Sequence, residues 1–245
     1  MSYDGMLMGF LDNDLYKFSM MMVVFHQFPQ VEAEFEFKCR NKNFDTGAKL
    51  GQLAQMIEKE INKMKYLVMT KEEKEYLKTL PFLKDDYIDF LENFRFNPEK
   101  HVNVHLNKGE LAITIRGKWL NTILYEVPIL AIVSEIATKQ NFDYEVMDWR
   151  NVSLKKLNYK VDFIKKHPLY LKFKLCDFGT RRRASAENHE LVVRYLNEQL
   201  NILGNGCFIG TSNVHLARKY GLRPIGTMAH EFLQSFQVVV SQFSG

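Results

Sequence analysis

Strict alternation marks the clearest element of the chain. In VEAEFEFKCR, Val31, Ala33, Phe35, Phe37 and Cys39 fall on one side and Glu32, Glu34, Glu36, Lys38 and Arg40 on the other. That is the period of a half-buried strand. Before it, Asp12 or Asp14 can cap an apolar helix that runs to about Gln27 and is stopped by Pro29. Helical spacing covers 47–64 and 70–80, the second opened by the capping box Thr70-Lys-Glu-Glu73. A short helix near 85–93 follows, and then VNVHL and LAITIRG flank Asn107-Lys108-Gly109-Glu110, a hairpin signature. A long apolar stretch from about 118 to 139 and another from roughly 145 to 166 predict two further helices.

From Pro168 the rhythm changes. LYLKFKLCDFGT reads as strand then turn, 187–203 as helix, and GCFIGT as strand then turn. NVHLARKY reads as a helix stopped by Gly221, RPIGT as strand then turn, and AHEFLQSFQVVV as a last helix. Such units build a parallel sheet or barrel whose strand-end turns share one face. Phe178-Gly179-Thr180, Gly210-Thr211-Ser212 and Gly226-Thr227 should therefore converge. Three such turns are too few for a closed eight-stranded barrel, so either the sheet is open or the chain is incomplete.

Composition narrows the class. Of 245 residues, 46% are hydrophobic and 25% charged, and 33 basic against 29 acidic residues leave a net charge of +4. Such a balance is too even to argue for nucleic acid. Cys39, Cys176 and Cys207 form an odd, widely spaced set, which argues against a disulfide framework or a zinc site. The start MSYDGMLMGFLDND is unlike a signal peptide, and TILYEVPILAIVSEIA is interrupted by Glu126, Pro128 and Glu135. The expectation is a cytoplasmic protein with no membrane span.

Three places carry candidate chemistry. In DFGTRRRAS, Arg181, Arg182 and Arg183 offer fork-shaped donors for phosphate or carboxylate. A lone RRR more often marks a solvated turn or a nucleic-acid patch, but a strand end beside two Gly-Thr turns favours an anion site. Successive arginines cannot all point inward, so Arg182 is expected to be structural. His230 lies in the first turn of its helix, where free N–H groups and the dipole favour an anion. A neutral imidazole there can act as nucleophile or base, or simply bond a neighbour. Tyr16 can stack on a planar ring or pack its own helix. The remaining histidines show no metal-ligand spacing, and no metal-binding residue is assigned.

Together LDNDLYKFSMMMVVFHQFP, FEFKCRN, RGKWLNTILYEVPILAIVSEI, DFGTRRRAS and GTSNVHLARKYGLRPIGTMAHEF resemble successive motifs of the nicotinate phosphoribosyltransferase family, in family order from about 7 to 236. The resemblance implies formation of nicotinate mononucleotide from nicotinate and phosphoribosyl pyrophosphate in NAD biosynthesis. It also implies ATP hydrolysis through a phosphorylated histidine at His230. Tyr16 and Phe178 match the aromatics on the two faces of the pyridine ring, Tyr16 reaching it from the neighbouring subunit of a homodimer. Thr227 and Arg181 match substrate-binding residues, and Ser212 is a further candidate for the pocket. ATP with Mg2+ is the implied co-substrate, with no tightly bound cofactor. Ala184 and Lys118 depart from the family's usual residues without touching a role-bearing position.

The expected fold is α/β. It comprises an N-terminal α+β domain over 1–140 and, over 141–245, the first portion of an incomplete α/β barrel of the type II phosphoribosyltransferase kind. The family's later barrel motifs, with ribose-phosphate contacts, acids near magnesium and another arginine, are not found in the sequence. A rival expectation is a non-catalytic fragment that dimerises, binds nicotinate weakly or needs a second chain. Nicotinamide or quinolinate would be sibling substrates, but the GTSN and GTMAHE wording favours nicotinate.

Overall fold

The alternating segment becomes β1 (Glu32–Lys38), and the hairpin β2 (Val102–Asn107) and β3 (Glu110–Lys118), giving an antiparallel sheet in the order β1-β3-β2. Phe35 lies opposite Ile115 and Phe37 opposite Ile113, so the apolar faces of both strands share one side. At the hairpin, Lys108 and Gly109 have φ of 51° and 78°, the paired left-handed turn whose twist matches that of the strands. Cys39 and Arg40 lie outside the described residues. The structure, a computed structural model, describes residues 2–38, 48–141, 148–170, 172–201, 206–227 and 229–243.

Helices α1 (Leu15–Gln27), α2 (Ala48–Lys63), α3 (Lys71–Lys78), α4 (Asp85–Asn93) and α5 (Pro98–His101) surround this sheet, together with α6 (Trp119–Thr122) and α7 (Glu126–Asn141). Their buried side chains form one core from Leu7 to Ile136 that also takes in Val214. The capping box of α3 is present, and Glu73 reaches further: its other oxygen accepts the Leu11 backbone N–H at 3.2 Å. Thr70→Ala is expected to lower stability by about 1 kcal/mol, read as a shifted urea midpoint at unchanged m-value.

The apolar helix expected over 118–139 is three pieces, with a 3-10 turn at Ile123–Tyr125. Pro128 explains the break, because its ring excludes the carbonyl four residues earlier and it has no N–H to donate. The freed Leu124 carbonyl accepts Asn13 Nδ2 at 3.0 Å instead. Trp119–Asn141 is long and apolar enough to cross a membrane, yet 72% of its most apolar window is buried inside the protein.

A second core holds α8 (Trp149–Lys166), β4 (Leu175–Asp177), α9 (Ala186–Leu200), β5 (Phe208–Thr211) and α10 (Val214–Tyr220). β4 and β5 pair in parallel, as the βα reading requires. Two expectations fail. LYLKFKL does not extend as a strand, since Phe173 N–H returns to the Leu169 carbonyl at 3.1 Å and β4 begins only at Leu175. RPIGT is no extended strand either: it makes a single parallel bridge, Pro224 to Thr211, in which the Ile225 N–H donates to the Thr211 carbonyl. α11 (His230–Phe243) returns to the first core, where Phe232 packs and the Phe236 ring lies 5.9 Å from that of Phe28.

Candidate active site

The strand-end turns meet around one buried carboxylate. Asp14 stands at the N-cap of α1 but makes no cap bond with its side chain. Its Oδ1 accepts from Thr180 Oγ1 at 2.8 Å and from Ser212 Oγ at 2.7 Å. The Ser212 carbonyl takes the Leu15 N–H at 2.8 Å, and the Lys17 N–H, which a capping side chain could have taken, bonds the Asp14 carbonyl at 3.0 Å. The third turn lies alongside, with Ile225 N–H donating to the Thr211 carbonyl at 2.9 Å and Gly226 against Leu15. Burial raises the Asp14 pKa against the opposing pull of Ser212, Thr180 and Arg181.

A second carboxylate braces the DFGT turn from below. Asp177 accepts Gly179 N–H at 3.0 Å, Thr211 Oγ1 at 2.6 Å and His189 Nε2 at 2.8 Å. Burial opposes its ionisation, but His189 and Thr211 outweigh that cost and hold the carboxyl below the usual range.

The three arginines divide. Arg183, not Arg182, is the structural one: its side chain is 1% exposed and paired with Asp12 at 2.8 Å, while Arg182 is exposed. Asp12 also accepts Asn213 Nδ2 at 2.7 Å and Met8 N–H at 2.9 Å. Burial works against the charge on Asp12, yet Arg183 holds its pKa below the ordinary value. Arg181 lies between Glu126, at 3.2 Å, and Asp14, at 3.6 Å, with its side chain 40% exposed. The triplet therefore forms no single basic stripe.

From Arg181 the charges continue. Glu126 also meets Lys17, whose ammonium is fully buried, and Lys17 meets Glu231. The other Glu231 oxygen accepts Trp119 Nε1 at 3.2 Å. Burial disfavours the charge on Glu126, but two cations hold its pKa below the ordinary value. Glu231 is pushed the other way, by burial and by the nearby Glu126 charge. His230 is exposed at the first position of α11, directly before Glu231.

The candidate residues thus occupy one neighbourhood in different states. Phe178 is 41% exposed and Thr227 is exposed, whereas Ser212 is fully buried and bound to Asp14. Tyr16 is only 3% exposed, with Arg181 Cζ and Lys17 Nζ at 5.8 and 5.7 Å from its ring centre. A ligand ring reaches Tyr16 only by displacing a neighbour. A cleft of about 700 Å³ between Lys139, Arg150, Asn188 and Arg194 is lined by none of these residues.

Two family models match the chain: the nicotinate phosphoribosyltransferase N-terminal domain over residues 11–134, and the nicotinate phosphoribosyltransferase family over 173–244. The chain belongs to this family. The matched spans contain the whole network from Asp12 to Glu231. A Pseudomonas aeruginosa relative named nicotinate phosphoribosyltransferase 2 is 38% identical over 237 residues, covering 96% of this chain and 56% of the relative. A Verminephrobacter eiseniae nicotinate phosphoribosyltransferase is 42% identical, covering 94% and 56%. The crystal structure of nicotinate phosphoribosyltransferase from Vibrio cholerae superposes with a TM-score of 0.86 at 32% identity, covering 97% of this chain and 55% of that one. The chain spans about half the length of the curated relatives it matches. The fold is accordingly a partial type II phosphoribosyltransferase fold.

Sequence reasoning missed Asp12, Asp14, Lys17 and Glu126 as parts of the site. A signal existed for Lys17, which shares the buried stripe of α1 with Met20, Met21 and Val24. A lysine there must find carboxylates.

Proposed function

We propose that these residues serve nicotinate phosphoribosyl transfer coupled to ATP hydrolysis, with His230 as the phosphoacceptor. The observation that carries the reading is the exposed imidazole of His230 at the open N-terminus of α11, beside the converging strand-end turns. The positive end of the helix dipole favours a phosphoryl group there. In the transfer, an imidazole nitrogen attacks the γ-phosphorus of ATP, the bond to the β-phosphate oxygen breaks and ADP leaves. The imidazole proton is lost to solvent. Mg2+ would accompany the substrate phosphates as their counter-ion.

Nicotinate would lie against Phe178, whose ring is 41% exposed, with Arg181 and Thr227 towards its carboxylate. The pyridine nitrogen then attacks the ribose carbon as pyrophosphate departs. Positive charge grows on the ribose and negative charge on the leaving group, so fixed charges and positioning carry the rate. A homodimer in the cytoplasm belongs to the same reading.

Span favours a second reading. Because the chain covers 56% of its relatives' length, these residues can hold the histidine and part of the nicotinate pocket while phosphoribosyl transfer needs residues from outside this chain. One experiment separates the two: incubation with γ-labelled ATP, with nicotinate and phosphoribosyl pyrophosphate added in a parallel reaction. Acid-labile label on wild type and none on His230→Ala is expected. Nucleotide formation would support the full activity, and label without nucleotide the second reading. An unlabelled, folded wild type would overturn His230 as phosphoacceptor.

A further inference from the structure

The ion pair behind His230 has more in it than helix capping requires. An acid in the first turn of a helix is already favoured by the dipole and can remain in solvent. Glu231 instead turns inward, its side chain only 19% exposed, to meet an ammonium that is 0% exposed. Trp119 Nε1 fixes its second oxygen at 3.2 Å. Lys17 also meets Glu126, so one buried cation joins α1, the start of α7 and the start of α11.

Among the described side chains beyond Glu231, Leu233 and Phe236 are 51% and 43% exposed, and Phe232 packs against the first core with Phe236 as its ring neighbour. Apolar contact is non-directional and restrains the rotation and axial position of a helix less sharply than charged hydrogen bonds do. Charged hydrogen bonds are directional, and those of Glu231 are sheltered from solvent.

We propose that Lys17 is a positioning residue for His230: by gripping Glu231, with Trp119 on the other oxygen, it fixes the first turn of α11 and so the placement of the imidazole. The inference deepens the phosphoacceptor reading of His230 and rests on it. Lys17 touches no phosphoryl group in this scheme. Its effect passes through one carboxylate and one peptide unit.

The experiment compares wild type with Lys17→Met, which removes the grip, and Glu231→Gln, which leaves Lys17 paired with Glu126. Native-state amide exchange is followed together with label transfer from γ-labelled ATP. Amides 232–236, the first of α11 with partners along the helix, are expected to exchange at least about tenfold faster in both variants, with those of α4 unchanged. Label transfer should fall by about a hundredfold in kcat while the KM for ATP moves less than about twofold, since misplacement of a nucleophile costs rate rather than binding. If Lys17→Met does not fold, Glu231→Gln decides by the same two measurements. Unchanged exchange at 232–236, or faster exchange with undiminished labelling, overturns the proposal. A wild type that takes no label defeats the phosphoacceptor reading instead, and the exchange data still decide whether Lys17 anchors the helix.

Discussion

Arg183→Met is expected to destabilise the fold by about 3–5 kcal/mol, because it strands Asp12 as a buried charge without its partner. The pair is 1% and 0% exposed and ties the N-terminal segment to the turn after β4. For a chain of this size the loss corresponds to a melting temperature lower by roughly 6–20 °C. Asp12→Asn in the same background should recover part of it, since the amide carries no charge to strand, although its single oxygen can accept from Asn213 or from Met8 and not from both. The pH response adds a second reading. The folded-state pKa of Asp12 is depressed, so in wild type its contribution is fully present above about 3.9 and is lost as pH falls through the folded value. In Arg183→Met the cation is gone and burial dominates, raising that pKa above the unfolded value. The mutant should then gain stability relative to wild type between about pH 7 and pH 5. Urea midpoints at the two pH values test this, and parallel shifts in both proteins would sink the argument.

Gly210→Ala is expected to cost about 3 kcal/mol, from a disfavoured backbone together with overpacking. Gly210 has φ of +150°, and a Cβ there would lie 2.1 Å from the Arg223 carbonyl oxygen and 3.0 Å from Ile225 Cγ1. The segment carrying Pro224 and Ile225 would have to leave β5, breaking the bond from Ile225 N–H to the Thr211 carbonyl. That segment leads to Thr227 and His230, so label transfer should fall along with stability. Gly221→Ala is the control: it has φ of +60° and open space around its Cβ, so it bears backbone strain without collision. A Gly210→Ala melting temperature no lower than that of Gly221→Ala would remove the close-approach explanation.

Much of the fold was legible where one local rule acted alone. Alternation placed β1, the Thr70 and Glu73 box opened α3, and the Lys108-Gly109 turn closed the hairpin. Legibility failed where two rules competed. The apolar stretch from 118 to 139 has helical composition throughout, but Pro128 breaks it at Ile123–Tyr125. RPIGT has a strand's apolar residues, but it pairs with β5 only through the single bridge from Pro224 to Thr211.

At the site, residue types were readable and partnerships were not. His230, Phe178 and Thr227 stand exposed near the turns that their glycines announced. Nothing local distinguishes Arg182 from Arg183, yet one faces solvent and the other closes a buried pair with a residue 171 positions away. Asp14 looked like a helix cap because its neighbours in sequence are a helix. It serves Thr180 and Ser212 because the βα units bring those hydroxyls to it. Local periodicity and turn chemistry are encoded within a few residues, so the sequence by itself determined most of the elements and the parallel pairing of the first two βα units. Only the tertiary structure decided which charges are buried together, since desolvation forces each buried ion to take whatever opposite charge the packed chain presents.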